Sequence, residues 1–194
     1  MSEAAFLDRV FRVLQPPARR FEFESWRHGG RPTSEGVGVL PMDVDVDAFV
    51  ARVMDVDHYV GNVAHVVECR SIDDPAYERP RSVRFYQRVQ IPVLGAIHME
   101  LVRTDHGLRD GWRVLAWHQH AGTDALDPGI AARSGYNVGA WLVRPDGVGY
   151  ALSSAPRRED VGRLRFAALT RGADAAAPRV IRDNIEGMAR WAAR

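Results

Sequence analysis

The sequence has one cysteine and no lysine, and each shortage excludes a kind of protein. The single cysteine, Cys69, excludes an intramolecular disulfide framework and a cysteine-rich zinc module. All 26 basic residues are arginine, so no lysine can form a Schiff base or complete a phosphate-binding loop. No apolar run approaches the roughly 18 residues of a membrane span, and no apolar signal core follows the N-terminus. We therefore expect a cytoplasmic protein without a membrane span.

The charges are nearly balanced, because 26 basic side chains accompany 25 acidic ones. A general nucleic-acid binder normally shows a clear basic excess, so we expect no nucleic-acid partner. Hydrophobic residues make up 46% of the 194 residues, which is ordinary globular usage. A chain of this length can bury a core without disulfides or metal ions, so the composition indicates a folded globular protein.

Alternating and helical hydrophobic patterns predict an α+β chain. Strands are predicted at 21–26, 37–42, 65–72, 82–91, 96–104, 112–120, 140–144 and 148–152. Helices are predicted at 2–14, after Asp45 or Asp47, around 56–63, at Asp127-Pro128 and at 174–192. Strands joined by short turns favour an antiparallel meander with helices on one side. A curved sheet wrapped around the long terminal helix would enclose space.

Four stretches carry a resemblance to a known family. They are "GVGVLPMDVDVDAFVARVMDVDHYVGNVAHVVECRSI" from Gly36 to Ile72, "RFYQRVQIP", "DGWRVLAWHQ" and "APRVIRDNIEGMARWA". The first is a strand, a helix, a turn of the form D-x-D-x-Y at Asp55, Asp57 and Tyr59, and a second strand. This pattern resembles the START-related polyketide cyclase and lipid-transfer (SRPBCC) superfamily.

The resemblance implies a helix-grip fold, in which a curved antiparallel sheet and the C-terminal helix enclose a cavity for a hydrophobic ligand. Members of the family carry lipids, bind hormones, or cyclise and aromatise polyketide chains. Residues 36–194 would form this START-like domain, and residues 1–35 would be an N-terminal helical and strand extension. We expect the extension to cover a sheet edge or the cavity mouth. A dimerisation arm, and hence a homodimer, is the alternative.

The inward faces of the strands and of the terminal helix should line the cavity. The expected lining residues are Tyr59, Phe85, Gln87, Met99, Leu101, Trp117, His118, Tyr150, Ile181, Ile185 and Met188. Gln87 is the polar residue on the face of Phe85, where it would orient a ligand carbonyl or bond a neighbouring strand residue. Tyr59 and Tyr150 would donate to a ligand carbonyl or serve only in packing. Alternation places His98, Arg84 and Arg88 on the opposite face.

The sequence "HQH" at His118 and His120 is the most suggestive local pattern. Two imidazoles at i and i+2 of a strand can reach one metal ion. No histidine follows them and only Asp124 is near, so we expect no metal site. They would instead be two histidines at a strand end near the cavity mouth, where an acid/base role is the functional alternative.

No nucleophile elbow and no dinucleotide-binding glycine motif occurs, so we expect no cofactor and leave open whether the protein is an enzyme. Three hypotheses remain. A binding or transport protein would hold a hydrophobic small molecule or lipid between sheet and helix. A cyclase or aromatase would show an inward-pointing Arg–Tyr or His–Tyr pair at one cavity. An interaction module would have its interior filled by tryptophan and phenylalanine.

Overall fold

An eight-stranded sheet curls around the C-terminal helix. The computed structural model describes residues 2–17, 19–91 and 95–194. The strands are β1 (Glu22–Trp26), β2 (Glu35–Pro41), β3 (Val66–Ile72), β4 (Ser82–Ile91), β5 (Gly95–Arg109), β6 (Trp112–Gln119), β7 (Ala132–Arg144) and β8 (Gly147–Pro156). The helices are α1 (Glu3–Val13), α2 (Val46–Met54), α3 (Arg158–Val161) and α4 (Arg163–Ala192), with 3₁₀ turns at Val56–His58 and Ala121–Ala125.

The strands lie in the order β1-β2-β8-β7-β6-β5-β4-β3, and neighbours in this order run antiparallel. The segment from β3 to β8 is therefore a meander, and β2 and β1 extend it beside β8. Beyond the end of β6, β5 also pairs with β7 in parallel, at Ile97 with Ala132. This extra pairing brings strands on both sides of β6 together, as a strongly curled sheet requires.

Both faces of the sheet are covered. Helices α2 and α4 cover the concave inner face, where the main hydrophobic cluster lies. Helix α1 covers the outer face through Phe6, Leu7 and Val10, which are buried with Trp112, Val114 and residues of β2, β7 and β8. The expected α+β helix-grip architecture is confirmed: a curved antiparallel sheet, a long C-terminal helix and two short helical segments after the first core strand.

A glycine allows close packing at the centre of the inner face. A Cβ atom at Gly139 would lie 2.2 Å from the Trp117 indole and 2.5 Å from the Ala151 carbonyl oxygen. The missing side chain lets Trp117 lie across β7. Leu152 on β8 is the neighbour of Gly139 in register, and it is only half-buried.

The three largest differences between the expected and the observed elements lie in the second half of the chain. Strand β7 starts at Ala132, eight residues before the predicted strand 140–144, and takes in part of residues 121–137, which we expected to be a connection. The short helix in that connection lies at Ala121–Ala125, where His120 caps it, and not at Asp127-Pro128. Helix α4 starts eleven residues earlier than predicted, at Arg163 rather than at 174, and continues through Pro178.

The N-terminal segment lies only in part where we expected. Strand β1 does cover the edge of β2, but α1 packs on the outer face of the sheet rather than at a cavity mouth. The division of the chain at residue 35 and the dimerisation arm stay predictions.

Candidate functional site

A buried arginine lies among the aromatic residues of the inner face. Arg103 on β5 is only 4% exposed. Its guanidinium carbon lies 5.0 Å from the ring centre of Phe85, 5.3 Å from that of Tyr59 and 5.4 Å from that of Trp117. The negative faces of aromatic rings attract a cation, more strongly where water is absent. The three rings thus form a partial substitute for a counter-ion.

Arg103 points inward because β5 alternates. Ile97, Met99 and Leu101 belong to the inner cluster, and Arg103 is the next residue on that face. Sequence reasoning named Met99 and Leu101 and missed Arg103, although the same alternation was available to find it.

The hydrogen bonds of Arg103 go only to uncharged acceptors. One terminal nitrogen donates to the Val53 carbonyl oxygen at 2.5 Å and to the Tyr59 hydroxyl. The Nε atom is buried without a partner, and no carboxylate forms an ion pair with Arg103 within residues 2–17, 19–91 and 95–194. A buried charge is normally paired with its opposite. This site therefore has unused capacity for a negatively polarised oxygen.

Tyr59 helps to hold Arg103 in place. Its hydroxyl donates to the Val53 carbonyl oxygen at 2.6 Å, so α2 and the following 3₁₀ turn fix its position. Burial raises the pKa of Tyr59 to about 12, although the neighbouring Arg103 opposes that shift. Tyr59 is therefore a neutral phenol at ordinary pH and not a base.

Tyr150 on β8 is a second phenol, and its hydroxyl is free. Its ring lies 4.4 Å from the Trp141 ring and 5.3 Å from the Trp117 ring. No described residue hydrogen-bonds its hydroxyl, and burial raises its pKa. The residue is nevertheless only half-buried, like Leu152 on the same face. Part of the surface of these two residues therefore stays accessible on a central strand of the inner face.

Amide side chains form a polar border on the same face. Asn137 on β7 accepts a hydrogen bond from the Trp117 indole at 2.7 Å, and its amide nitrogen lies 3.2 Å from the Met99 sulfur. Gln119 on β6 donates to the Ser134 carbonyl oxygen at 3.2 Å, but its own Oε1 is buried without a partner. An unpaired buried acceptor costs free energy unless a donor reaches it. A ligand hydroxyl or amide would supply that donor.

Ten of the eleven predicted lining residues lie on the inner side of the sheet. The members of the inner cluster, or residues packed against it, are Tyr59, Phe85, Met99, Leu101, Trp117, Tyr150, Ile181, Ile185 and Met188. Gln87 is half-buried and lies in register between Cys69 and Met99. Their contribution to ligand binding stays a prediction.

The prediction that His118 lines the cavity is wrong. It lies on the outer face, where its Nδ1 is 2.9 Å from a Glu3 carboxylate oxygen of α1. His120 makes separate contacts: its Nδ1 accepts from the Gly122 amide at 2.9 Å and lies 3.6 Å from Glu100. The two imidazoles of "HQH" therefore do not share a partner. In the described part of the chain, no three His, Cys, Asp or Glu side chains are grouped to hold a metal ion.

His98 lies on the outer face as alternation predicts, but it is buried. Its Nδ1 is 3.3 Å from the Tyr86 hydroxyl, and its Nε2 has no partner. Burial lowers the pKa of His98 below the usual 6.5. The folded protein therefore holds this imidazole neutral.

We expect His98 to make stability fall at mildly acidic pH. The unfolded chain takes up a proton as the pH falls below 6.5, whereas the folded chain resists protonation until lower pH. On going from about pH 7.5 to about pH 5.5, the free energy of unfolding in urea should change less favourably for the wild type than for His98→Phe. An equal change in both proteins would contradict this origin of the pH dependence.

Comparisons with known proteins show the fold. No model of a known family and no curated protein matches the sequence. Solved structures do match. A STAR-related lipid transfer protein from Xanthomonas axonopodis is 14% identical, with 94% of this chain and 98% of that chain covered at a TM-score of 0.74. Human StAR-related lipid transfer protein 5 is 9% identical, with 99% and 96% covered, also at 0.74.

An enzyme has the same architecture. The Zhui aromatase/cyclase from Streptomyces sp. R1128 is 12% identical, with 90% of this chain and 95% of that chain covered at a TM-score of 0.56. The protein thus has the helix-grip fold of StAR-related lipid-transfer domains and polyketide aromatase/cyclases. The resemblance to the START-related superfamily is confirmed at the level of the fold. No helix in the described ranges is long and apolar enough to cross a membrane.

Proposed function

We propose that the protein binds a hydrophobic, ring-containing small molecule whose anionic or strongly polarised oxygen pairs with Arg103. The supporting observation is an arginine residue that is 4% exposed and whose guanidinium has uncharged acceptors and three aromatic rings as partners. Removing a charge of this kind from water costs several kcal/mol. A carboxylate, enolate or similar oxygen of a ligand would offset much of that cost.

The groups around Arg103 suit an aromatic or polycarbonyl ligand. Trp117, Trp141 and Tyr150 provide ring faces and edges for stacking. The free Tyr150 hydroxyl would donate to a ligand oxygen, and the unpaired Oε1 of Gln119 would accept from a ligand donor. Such a site is mainly apolar with a few placed polar groups, as is usual for small-molecule pockets.

The interaction-module hypothesis explains less of this interior. Phe49, Phe85, Trp117, Trp141 and Trp191 do fill much of the inner cluster, as that hypothesis predicted. A filled structural core, however, gains nothing from a buried cation without a counter-ion or from an amide oxygen without a donor. Those features support ligand binding over packing alone.

A larger side chain beside Tyr150 on the inner face should block binding. We expect Leu152→Trp to weaken binding of 1-anilinonaphthalene-8-sulfonate by about tenfold or more. The probe joins aromatic rings to an anionic group, and fluorescence titration measures its affinity. Leu108→Trp is the matched control, because Leu108 is 75% exposed in the β5–β6 hairpin.

The control should bind the probe as the wild type does. If Leu152→Trp is folded by circular dichroism and still binds the probe with unchanged affinity, the site does not lie between β8 and α4. Native mass spectrometry of the protein from its own host would then show whether any apolar ligand is retained.

A second candidate function is polyketide cyclase or aromatase chemistry. Arg103 and Tyr59 are the inward Arg–Tyr pair which that hypothesis requires. Arg103 would stabilise the enolate oxygen that forms when solvent water takes up the α-proton, since a preorganised cation aimed at developing charge is an effective electrostatic catalyst. Tyr59 would position Arg103 and not abstract the proton, because its hydroxyl already donates to Val53.

Deuterium exchange at the α-carbon of a naphthyl β-diketone would test for enolisation. Exchange accelerated by the wild type and not by Arg103→Met supports the enzyme. Binding of the diketone without accelerated exchange supports a carrier. A cytoplasmic location and the absence of a nucleic-acid partner stay predictions.

A further inference from the structure

Helix α1 lies as a strap across the outer face of the sheet. Its apolar side chains Phe6, Leu7 and Val10 are at most 5% exposed and cover strands that face the candidate site on their other side. At the middle of the helix, Arg9 donates two hydrogen bonds to the buried Glu35 of β2, at 2.7 and 2.8 Å. Midway along the helix, Asp8 pairs with Arg109 at 2.9 Å.

The N-terminal end of the strap has a different kind of contact. Glu3 lies between two imidazoles of adjacent strands: one carboxylate oxygen is 2.6 Å from His106 Nε2 on β5, and the other is 2.9 Å from His118 Nδ1 on β6. The Glu3 side chain is 14% exposed, and the two imidazoles are about 40% exposed. Solvent protons can therefore reach both histidines while the carboxylate stays sheltered.

The chain that follows α1 borders an open groove. Pro16 and Pro17 follow α1, and an open groove of about 540 Å³ lies between the chain around Val13–Gln15, β1 and β2. This space and the proline residues separate α1 from the strand that follows it. Movement of α1 therefore does not require β1 to leave the sheet.

We propose that Glu3, His106 and His118 form a pH-sensitive latch that holds α1 on the outer face when His106 is protonated and loosens when His106 loses its proton. Hydrogen bonds between charged groups are roughly twice as strong as neutral ones. The contact between the Glu3 carboxylate and His106 is thus weakened, not abolished, at higher pH. Loosening uncovers apolar surface of β6 and β7.

The charges around the latch set the pH range. Burial opposes ionisation of Glu3, but the hydrogen bonds from His106 and His118 outweigh it and lower its pKa to about 2. The Glu3 hydrogen bond raises the pKa of His106 above 6.5, with Asp105 acting in the same direction and Arg81 in the opposite one. Asp105 itself is paired with Arg113.

Each shifted pKa fixes the direction in which stability changes with pH. Stabilisation from Glu3 is present above pH 4.5 and is lost as the pH falls towards about 2. Stabilisation from His106 is complete below pH 6.5 and is lost as the pH rises through the raised pKa of the folded state. The latch is consequently strongest in mildly acidic solution. The His98 contribution has the opposite sign, so the two effects can be told apart.

Hydrogen exchange on the whole protein tests the latch. After correction for intrinsic rates, protection of residues 3–13 should fall on the order of threefold or more from about pH 6 to about pH 8.5. Protection of β8 residues 147–156 should not fall. In the double variant His106→Gln/His118→Gln, and separately in Glu3→Gln, the pH effect on residues 3–13 should disappear. Asp8→Asn is the control, and it should lower protection equally at both pH values.

Two results would overturn the proposal. One is a wild-type α1 whose protection is the same at both pH values. The other is a pH effect of the same size in either latch variant, with retained protection of 147–156 showing that the variant is folded.

Discussion

Arg103→Met is expected to weaken binding of the anionic probe 1-anilinonaphthalene-8-sulfonate by about 100-fold, because two charge-assisted hydrogen bonds are lost. Affinity for the neutral analogue N-phenyl-1-naphthylamine should stay within about threefold, since methionine keeps the apolar lining. The ratio of the two affinities, measured by fluorescence titration, isolates the charge of Arg103 from the shape of the site.

The same substitution should leave the fold stable. Among the described residues, no carboxylate pairs with Arg103 and would lose its partner, and Tyr59 keeps its own hydrogen bond to Val53. Replacing a buried ion by an apolar residue of similar volume is often neutral or stabilising. We expect the free energy of unfolding in urea to change by less than about 1.5 kcal/mol.

Arg109→Met is the matched control. Arg109 lies on the same strand, is 40% exposed and pairs with Asp8 on the outer face. It should leave the affinities for both probes unchanged. Equal losses for both probes in Arg103→Met would mean that the site had collapsed, and they would contradict the role of Arg103 as an oxygen-binding cation.

The sequence predicted the architecture because the strands alternate clearly and short turns separate them. The alternation in β4 and β5 assigned Phe85, Met99 and Leu101 to the inner face, where the structure has them. Arg103 follows the same rule but was overlooked, because an arginine is expected in solvent. The aromatic neighbours of Arg103 come from β4, β6 and the turn after α2. Because these segments are far apart in the sequence, no local pattern predicts the contacts.

The error at His118 has a different physical cause. Trp117 and His118 are consecutive strand residues, so they must point to opposite faces, yet both were assigned to the cavity. The face of His118 is apolar through Trp112, Val114 and Ala116, which looked like an inner face. An apolar face does not identify the inner side when a second helix, here α1, covers the outer side. That the sheet is covered on both faces became visible only in three dimensions.

Helix α4 shows the limit of local stop signals. Gly172 and Pro178 both disfavour a helix interior, and the predicted helix began at 174, between them. The helix starts eleven residues earlier, after Gly162, whose φ of 77° suits a glycine. Leu169 and Thr170 are buried, and this tertiary packing outweighs the cost of the two breakers.

Arg9→Met is expected to destabilise the fold by about 3–5 kcal/mol, which is a large part of the roughly 5–15 kcal/mol available to a domain. The Glu35 side chain is fully buried and is held by Arg9 and by the Trp26 indole at 2.8 Å. Without Arg9, the carboxylate keeps its desolvation cost and loses its charge partner. Urea unfolding, followed by circular dichroism, gives the difference in free energy.

The double variant Arg9→Met/Glu35→Met distinguishes two causes of the lost stability, the unpaired Glu35 charge and the lost packing of the Arg9 side chain. Because it removes both charges, it should recover most of the loss and lie within about 2 kcal/mol of the wild type. Arg12→Met is the control on the exposed side of α1 and should change stability by less than about 0.5 kcal/mol. A double variant as unstable as Arg9→Met would show that the Arg9 stem, and not its charge, holds α1 to β2. In that case apolar contact alone would hold α1 to β2 at Arg9.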